Sequence, residues 1–580
     1  MKRYYPIFLL TILLGLFSTQ SIAQESQVLP AGLTEGERAI ISEYNFTGNR
    51  FTPPPTGPVR AAAEWEEVEY LLITWQPNFP NILRQIVAAA VQECKVIITT
   101  QNQSSVANYL QSNGVDLTNV TFMDEPFNSI WIRDYAGNTI YSDDVGERAL
   151  TDWIYNRPRP LDNVMPSAHA ALVGMPIYIT DTAPNDLVNT GGNYMSDGLG
   201  NAFASELVLE ENAAGNPYGV SVKTEAQIDD IMQQYMGIDT YIKMTPLPYD
   251  IISHIDMHMK LLDEETLLVS KYPEGVADGP QIAQNIDYVL SNFQSAFGTP
   301  FRVKWIDAPP SPGGAYPDTG GYYRNYTNAI FINKTILIPL YRPEVDVPAI
   351  AQWEEMMPGY NIVGIDVDNP GENLIALVGA IHCITHTIGV ADPLWIVHQP
   401  VYQANTNTDV TLDAMVKHIS GVSNVDIFWR EVGNTTWNET AMTNVSGDNW
   451  TTDLSIGTED VEYYIEAEAI SGKVLTRPIV APDGYWTIST EILAGNDVAA
   501  NSISAPFPNP TDGSVSFKLN NLPGPITVTV HNIMGQQLML EELQNGNGTF
   551  TLGLNPRWKG TLFVSFEGEF GSTTKKVIKL

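Results

Sequence analysis

Tyr70-Leu71-Leu72-Ile73-Thr74-Trp75 and Lys95-Val96-Ile97-Ile98-Thr99-Thr100 are two short apolar runs rich in β-branched residues. Such runs read as strands. Between them, Asn81 to Cys94 has helical spacing, with Ile82, Ile86, Ala89 and Ala90 on one face. Ser104 to Ser112 reads as a second helix and Val120 to Met123 as a third strand. Strand and helix in alternation predict an α/β domain.

Further along, the same traffic recurs. Glu225 to Met236 has helical spacing and Tyr241 to Met244 is extended. His254 to Val269 reads as a hairpin turning at Asp263-Glu264-Glu265, followed by a helix over Ile282 to Phe297 and a strand over Phe301 to Ile306. Ala329 to Pro339 reads as a hairpin turning at Asn333-Lys334, followed by a helix over Val347 to Met356 and a strand over Ile362 to Val367. Repeated units of similar size point to one modular α/β domain over residues 61–400. After it the helical periodicity stops. Val425 to Arg430 and Val461 to Ala467 alternate with period two between turns such as Gly433-Asn434. Residues 405–490 therefore predict an immunoglobulin- or fibronectin-like β-sandwich.

The ends of the chain carry different signals. Lys2-Arg3, the apolar run Ile7 to Phe17 and Ser21-Ile22-Ala23 have the layout of an export signal, so residues 1–23 are set apart from the fold. No later run is long and apolar enough to span a bilayer. Residues 24–60, with Pro53-Pro54-Pro55, read as a leader or lid. Residues 499–580 contain Pro508-Asn509-Pro510, the turn Ile533-Met534-Gly535-Gln536 and the basic end Lys575-Lys576-Val577-Ile578-Lys579-Leu580. Together these resemble the C-terminal sorting domain of type IX secretion, which implies that secretion machinery as a partner and a secreted or cell-surface location.

The chain has 30 basic and 66 acidic residues, a formal net charge of -36. That balance speaks against nucleic acid, whose phosphates call for Lys and Arg. Only two cysteines occur, Cys94 and Cys383. In an exported chain they could pair. Cys383, however, sits in Gly379-Ala380-Ile381-His382-Cys383-Ile384-Thr385-His386, where a thiol among imidazoles suggests a nucleophile. Three more clusters carry chemistry. Trp131-Ile132-Arg133-Asp134-Tyr135 could offer aromatic walls and a carboxylate to a flat cation, or a structural Arg133–Asp134 pair. His254-Ile255-Asp256-Met257-His258, read as a strand, puts its three polar side chains on one face. That face suits either an acid/base pair, His254 with Asp256, or a metal site joined by His382. Asn156-Arg157-Pro158-Arg159-Pro160 holds two guanidiniums on a stiffened loop, a natural carboxylate clamp.

The order of the motifs is more specific than any one of them. Trp-x-Arg-Asp at 131–134, Asn-Arg-Pro-Arg at 156–159, Gly-Gly-Asn at 191–193, His-Ile-Asp at 254–256, Tyr-Thr-Asn at 326–328 and Ile-His-Cys at 381–383 follow one another, and Ala62-Ala63-Glu64-Trp65-Glu66 opens the set. This series resembles the Porphyromonas-type peptidylarginine deiminases and agmatine deiminases. The resemblance implies a five-bladed α/β propeller and a cysteine hydrolase acting on arginine-containing peptides or proteins, with no metal or organic cofactor. It implies Cys383 as nucleophile, His254 as acid and base, and Asp134 and Asp256 as holders of the guanidinium. Trp131, Arg157, Arg159 and Asn328 would line the substrate, and the two arginines favour a terminal carboxylate over agmatine. The chain departs from the family pattern at Tyr135-Ala136-Gly137 and at the reduced glycine run Gly379-Ala380. Agmatine as the substrate, a zinc hydrolase built on the histidines, and a non-catalytic surface adhesin are the competing readings.

Overall fold

The computed structural model describes residues 28–48, 52–490, 503–504, 506–532, 536–544, 546–568 and 571–580. The export signal expected at 1–23 and most of the turn at 533–536 lie outside the described residues. Contacts divide the chain into Met1–Pro393 and Leu394–Leu580, so the first division falls before the expected limit at 400. Trp395–Val397 already pairs with Thr408–Lys417, inside the second unit.

The first unit is mixed α/β and contains five sheets of three or four strands. One building plan recurs in each. Two antiparallel strands are followed by a helix and then by a strand parallel to the second. Met259–Leu261 pairs with Thr266–Lys271, the helix Asp278–Asn292 follows, and Arg302–Asp307 returns parallel to Thr266–Lys271. Ile330–Ile332, Thr335–Leu340, the helix Pro343–Met356 and Asn361–Asp366 repeat the plan. So do Asn138–Ser142, Arg148–Trp153 and Ile177–Thr180, and again Met195–Ser196, Asn201–Ser205 and Thr240–Met244. In the fifth sheet the antiparallel partner comes from the far end of the unit, since His386–Gly389 pairs with Val68–Thr74. Val68–Thr74 then runs parallel to Lys95–Thr99, which runs parallel to Val120–Met123.

The helices follow from their apolar spacing. Pro80–Ala90 buries Ile82, Leu83, Ile86, Val87 and Ala90, one stripe facing its sheet. Each such aliphatic side chain adds about 1.5–3 kcal/mol when fully withdrawn from water. No side chain of its own caps that helix. The Glu372 carboxylate accepts from the free N–H groups of Asn81 and Ile82 instead, at 3.0 and 2.9 Å. Glu225–Met236 carries a full capping box from Thr224 and Gln227 and stops at left-handed Gly237.

One expected element is different. The strand pattern from His254 does not start the hairpin, whose first strand begins only at Met259. Ile255–Met257 closes a 3-10 turn, and the Asp250 carboxylate accepts from His254 N at 3.1 Å. His254, Asp256 and His258 therefore do not share a strand face. His382–Ile384 is likewise a 3-10 turn, and His386 opens a strand.

The second unit contains only strands among its described residues. Between 395 and 488 two sheets bury one core that includes Leu412, Val416 and Leu454 from one sheet and Ile427, Tyr463 and Ile465 from the other. Residues 503–580 form two further sheets around Val515, Phe517, Val528, Val564 and Phe566. Among the described residues no helix is long and apolar enough to cross a membrane.

Candidate active site

Five short connections, each just before the antiparallel strand that opens the recurring plan, build one cluster. They are the turn Ile132–Tyr135 before Asn138–Ser142, Gly191–Asn193 before Met195–Ser196, Ile255–Met257 before Met259–Leu261, residues 325–328 before Ile330–Ile332, and His382–Ile384 before His386–Gly389. Repetition of one plan thus delivers Asp134, the Gly-Gly turn, His254 with Asp256, Asn328 and Cys383 to one place.

The geometry is tight. Cys383 Sγ lies 3.2 Å from Asn328 Nδ2 and 3.5 Å from Asp256 Oδ2. The same Asn328 amide donates to Asp256 O at 3.2 Å, and its carbonyl accepts from His382 N at 3.0 Å. His254 Nε2 meets Thr190 Oγ1 at 3.1 Å, and its Nδ1 lies 3.5 Å from Asp134 Oδ1. Gly192 N donates to that same oxygen at 3.3 Å. A methyl group on Gly192 would stand 2.5 Å from His254 Nδ1, 2.9 Å from Asp134 Oδ1 and 3.3 Å from Asp256 Oδ2. One imidazole and two carboxylates therefore converge on the bare face of a glycine. Asp256 Oδ1 is buried without a hydrogen-bond donor, an acceptor aimed at something not supplied by the chain.

Behind Asp256 stands a charge network that local spacing did not reveal. His382 Nδ1 lies 2.7 Å from Asp256 Oδ2, and His382 Nε2 lies 2.7 Å from Glu64 Oε1. Both ring nitrogens of this imidazole are thus engaged by carboxylates. Neither is left free for a metal, which removes His382 from the zinc reading. Glu64 also pairs with Lys260 and, at 3.1 Å, with Arg133. Arg133 thus answers Glu64, and the pair expected with Asp134 is not formed. Glu64 stands in the Ala62-Ala63-Glu64-Trp65-Glu66 motif that opens the series, and its spacing does not single it out from Glu66, Glu67 and Glu69. His258 is buried, and neither of its ring nitrogens has a hydrogen-bond partner.

These surroundings separate the protonation states. Burial alone would raise Glu64, but the charges of His382, Lys260 and Arg133 hold it well below the usual carboxylate range. Burial would also raise Asp256, and the hydrogen bond and charge of His382 keep it below its ordinary value. Asp134 goes the other way, pushed up to about 7 by burial and by the Asp256 charge. Burial pulls His254 down to about 4. Burial and the two aspartates raise the Cys383 thiol well above its ordinary value. A cation held between Asp134 and Asp256 would bring both the Asp134 carboxyl and the Cys383 thiol back down.

Trp131 packs under the loop that bears Cys383, since a methyl on Gly379 would lie 2.3 Å from its Cζ3 and 3.2 Å from Cys383 Cβ. Arg157 and Arg159 are buried and already engaged. Arg157 Nε donates to Ala31 O at 3.0 Å, and Arg159 Nε meets Glu37 Oε1 at 2.7 Å. Cys94 and Cys383 are both free and buried, so the Cys94–Cys383 bond is not formed. Among the described residues no cluster of three or more His, Cys, Asp or Glu side chains is arranged to hold a metal ion.

Residues 505–580 match the secretion system C-terminal sorting domain, which directs the chain to type IX secretion toward the cell surface or exterior. A Yersinia pestis protein named as an agmatine deiminase is 25% identical over 362 residues, covering 57% of this chain and 95% of that protein. A Shewanella baltica protein named in the same way is 27% identical over 301 residues, covering 47% of this chain and 76% of that protein. A solved structure titled as an agmatine deiminase shares the fold with a TM-score of 0.51 at 19% identity, over 59% of this chain and all of that one. Residues 60–388 match the family described as Porphyromonas-type peptidyl-arginine deiminase. The chain belongs to that family, an enzyme acting on guanidino C–N bonds.

Proposed function

We propose that this chain hydrolyses the guanidinium of arginine in peptides, and by preference of a C-terminal arginine, to citrulline and ammonia. The observation that carries the reading is the convergence of Asp134, Asp256 and His254 on Gly192 beside the Cys383 thiol. Two carboxylates around one flat cation are sensible because the cation offsets their repulsion and burial. On this reading the five sheets are blades of an α/β propeller closed by the pairing of His386–Gly389 with Val68–Thr74. Residues 405–490 are an immunoglobulin-like module, and residues 1–23 are a removable export signal.

The steps balance without another reactant than water. The guanidinium binds between Asp134 and Asp256, and its charge lowers the Cys383 thiol. The thiol proton passes to His254, and the thiolate attacks the central carbon, forming a C–S bond. His254 returns that proton to the departing nitrogen, the C–N bond breaks and ammonia leaves. Water then adds to the thiouronium carbon while His254 takes one of its protons. The C–S bond breaks as the adduct's hydroxyl proton is lost to the released ammonia, which departs as ammonium, His254 returns its proton to the thiolate, and a neutral ureido group remains.

Asp134 sets a pH dependence. With its folded value at about 7, it holds a proton below that pH and cannot pair with a cation. Loss of the proton on raising pH restores the pair. The expected result is that kcat/KM for a cationic substrate falls as pH drops through about 7, losing tenfold per unit below it. A pH–rate profile flat across that range would contradict the assignment of Asp134.

The choice of peptide over agmatine rests on Arg157 and Arg159, which agmatine has no carboxylate to engage. Arg157→Ala is expected to lower kcat/KM about a hundredfold more for a peptide ending in arginine than for agmatine, the scale for leaving a buried charge unpaired. Turnover of agmatine alone, or equal losses on both substrates, would favour the agmatine reading.

A further inference from the structure

The arginines assigned above to substrate are held by the chain's own leader. Four successive carbonyls of residues 29–32 accept hydrogen bonds from the walls of the site. Trp131 Nε1 donates to Leu29 O at 2.9 Å, and Arg159 Nη2 to Pro30 O at 2.9 Å. Arg157 Nε donates to Ala31 O at 3.0 Å, and Arg159 Nη2 again to Gly32 O at 3.2 Å. In return Ala31 N donates to Leu377 O at 3.0 Å, in the segment leading to Cys383. Gly32 lies against Ile251 and Ile252, in the segment leading to His254. The strap therefore touches the loops that carry Asp134, His254 and Cys383.

The short helix that follows, Glu35–Ile40, delivers a carboxylate. Glu37 Oε1 lies 2.7 Å from Arg159 Nε, and Oε2 lies 3.2 Å from Arg159 Nη2. This is the bidentate fork by which arginine grips a carboxylate. The helix buries none of its own residues, and a helix this short does not persist by itself in water. Its position depends on Glu37 and on its flanks. With the strap in place on these loops, Cys383, His254, Asp256 and Asp134 are exposed by 1%, 1%, 0% and 1%. An arginine side chain attached to a peptide has no path to the thiol past such burial.

We propose that residues 28–48 are a resident ligand of a peptide groove, lined by Trp131, Arg157 and Arg159, with the Glu37 carboxylate standing where a substrate's terminal carboxylate docks. The groove reads a peptide by its backbone carbonyls and one carboxylate, which are the groups the leader presents. The segment is then a built-in competitor, and peptide turnover requires that it be displaced or cut away. This inference rests on the peptidylarginine reading for the identity of the competing ligand. It does not rest on that reading for the statement that the leader covers the thiol.

The test uses the full-length chain with and without Glu37→Gln, and two readouts. The first is the rate at which iodoacetamide alkylates Cys383, followed by peptide mass, with buried Cys94 as the internal reference. The second is KM for a peptide ending in arginine. Glu37→Gln is expected to speed alkylation of Cys383 at least tenfold and to lower KM by a similar factor with kcat little changed. A synthetic peptide of residues 28–48 should inhibit the Glu37→Gln chain, and the same peptide bearing glutamine at position 37 should inhibit it less. Turnover of the peptide with neither alkylation nor KM altered by Glu37→Gln overturns the leader proposal and leaves the activity standing. Faster alkylation with no turnover of any arginine substrate supports the leader proposal and sinks the proposed activity. Neither turnover nor faster alkylation sinks both.

Discussion

Cys383→Ala is expected to yield a folded chain that releases no measurable ammonia or ureido product from arginine peptides. Cys383 is buried in the same apolar cluster as Ala380, Ile381 and Ile384, so alanine is tolerated there. Loss of one buried sulfur costs about 1 kcal/mol, within the range of ordinary point substitutions. Loss of a covalent nucleophile is of another order, about a million-fold in kcat. Thermal melting and a colorimetric ureido assay on the same sample separate the two effects. Cys94→Ala is the matched control. Burial pushes its thiol up to about 12, it is not among the groups that converge on Gly192, and its loss is expected to leave turnover intact. Residual ureido formation near the native rate in Cys383→Ala would remove the thiol from the reaction.

Gly192→Ala is expected to abolish guanidinium binding without removing any reactive group. The added methyl would stand 2.5 Å from His254 Nδ1 and 2.9 Å from Asp134 Oδ1, closer than real carbon contacts allow. His254 and Asp134 are walled in at 1% exposure each, and Gly192 N also donates to Asp134. The methyl must therefore take the space that a flat cation would use, or drive the acid and base apart. Displacement of reacting groups by about 1 Å costs on the order of a hundredfold, and exclusion of the cation costs more. The expected result is at least a thousandfold loss in kcat/KM with a cooperative melt retained. A variant with native KM would show that the cation binds elsewhere.

Much of this site was legible before any coordinates, because its motifs sit at repeated positions. Each of Asp134, Gly192, Asp256, Asn328 and Cys383 falls just ahead of the antiparallel strand that opens the recurring plan, where short polar segments interrupt apolar runs. Helices with strong apolar spacing were equally plain, as at Glu225–Met236, whose ends are marked by Thr224 and Gly237. What was not legible depends on contacts across long stretches of chain. The period-two pattern at His254 resembles a strand, but the Asp250 carboxylate and the 3-10 turn at Ile255–Met257 take that backbone instead. His382 was the neighbour that first suggested chemistry at Cys383. Its partners, Asp256 and Glu64, lie 126 and 318 residues away in sequence, and they occupy both of its ring nitrogens. Arg157 and Arg159 were readable as a carboxylate clamp, while the carboxylate that occupies Arg159 comes from Glu37, 122 residues upstream.

The central claim is that Cys383 is a thiol beside a slot shaped and charged for a guanidinium. It is tested most directly by comparing alkylation of the Glu37→Gln chain by chloroacetamidine, a flat cation, and by chloroacetamide, its neutral counterpart. Peptide mass then reports which cysteine is modified. The account predicts that the cation modifies Cys383 far faster than the neutral reagent, and that Asp256→Asn erases the difference. Equal rates for the two reagents, or modification of Cys94 in preference to Cys383, would contradict it.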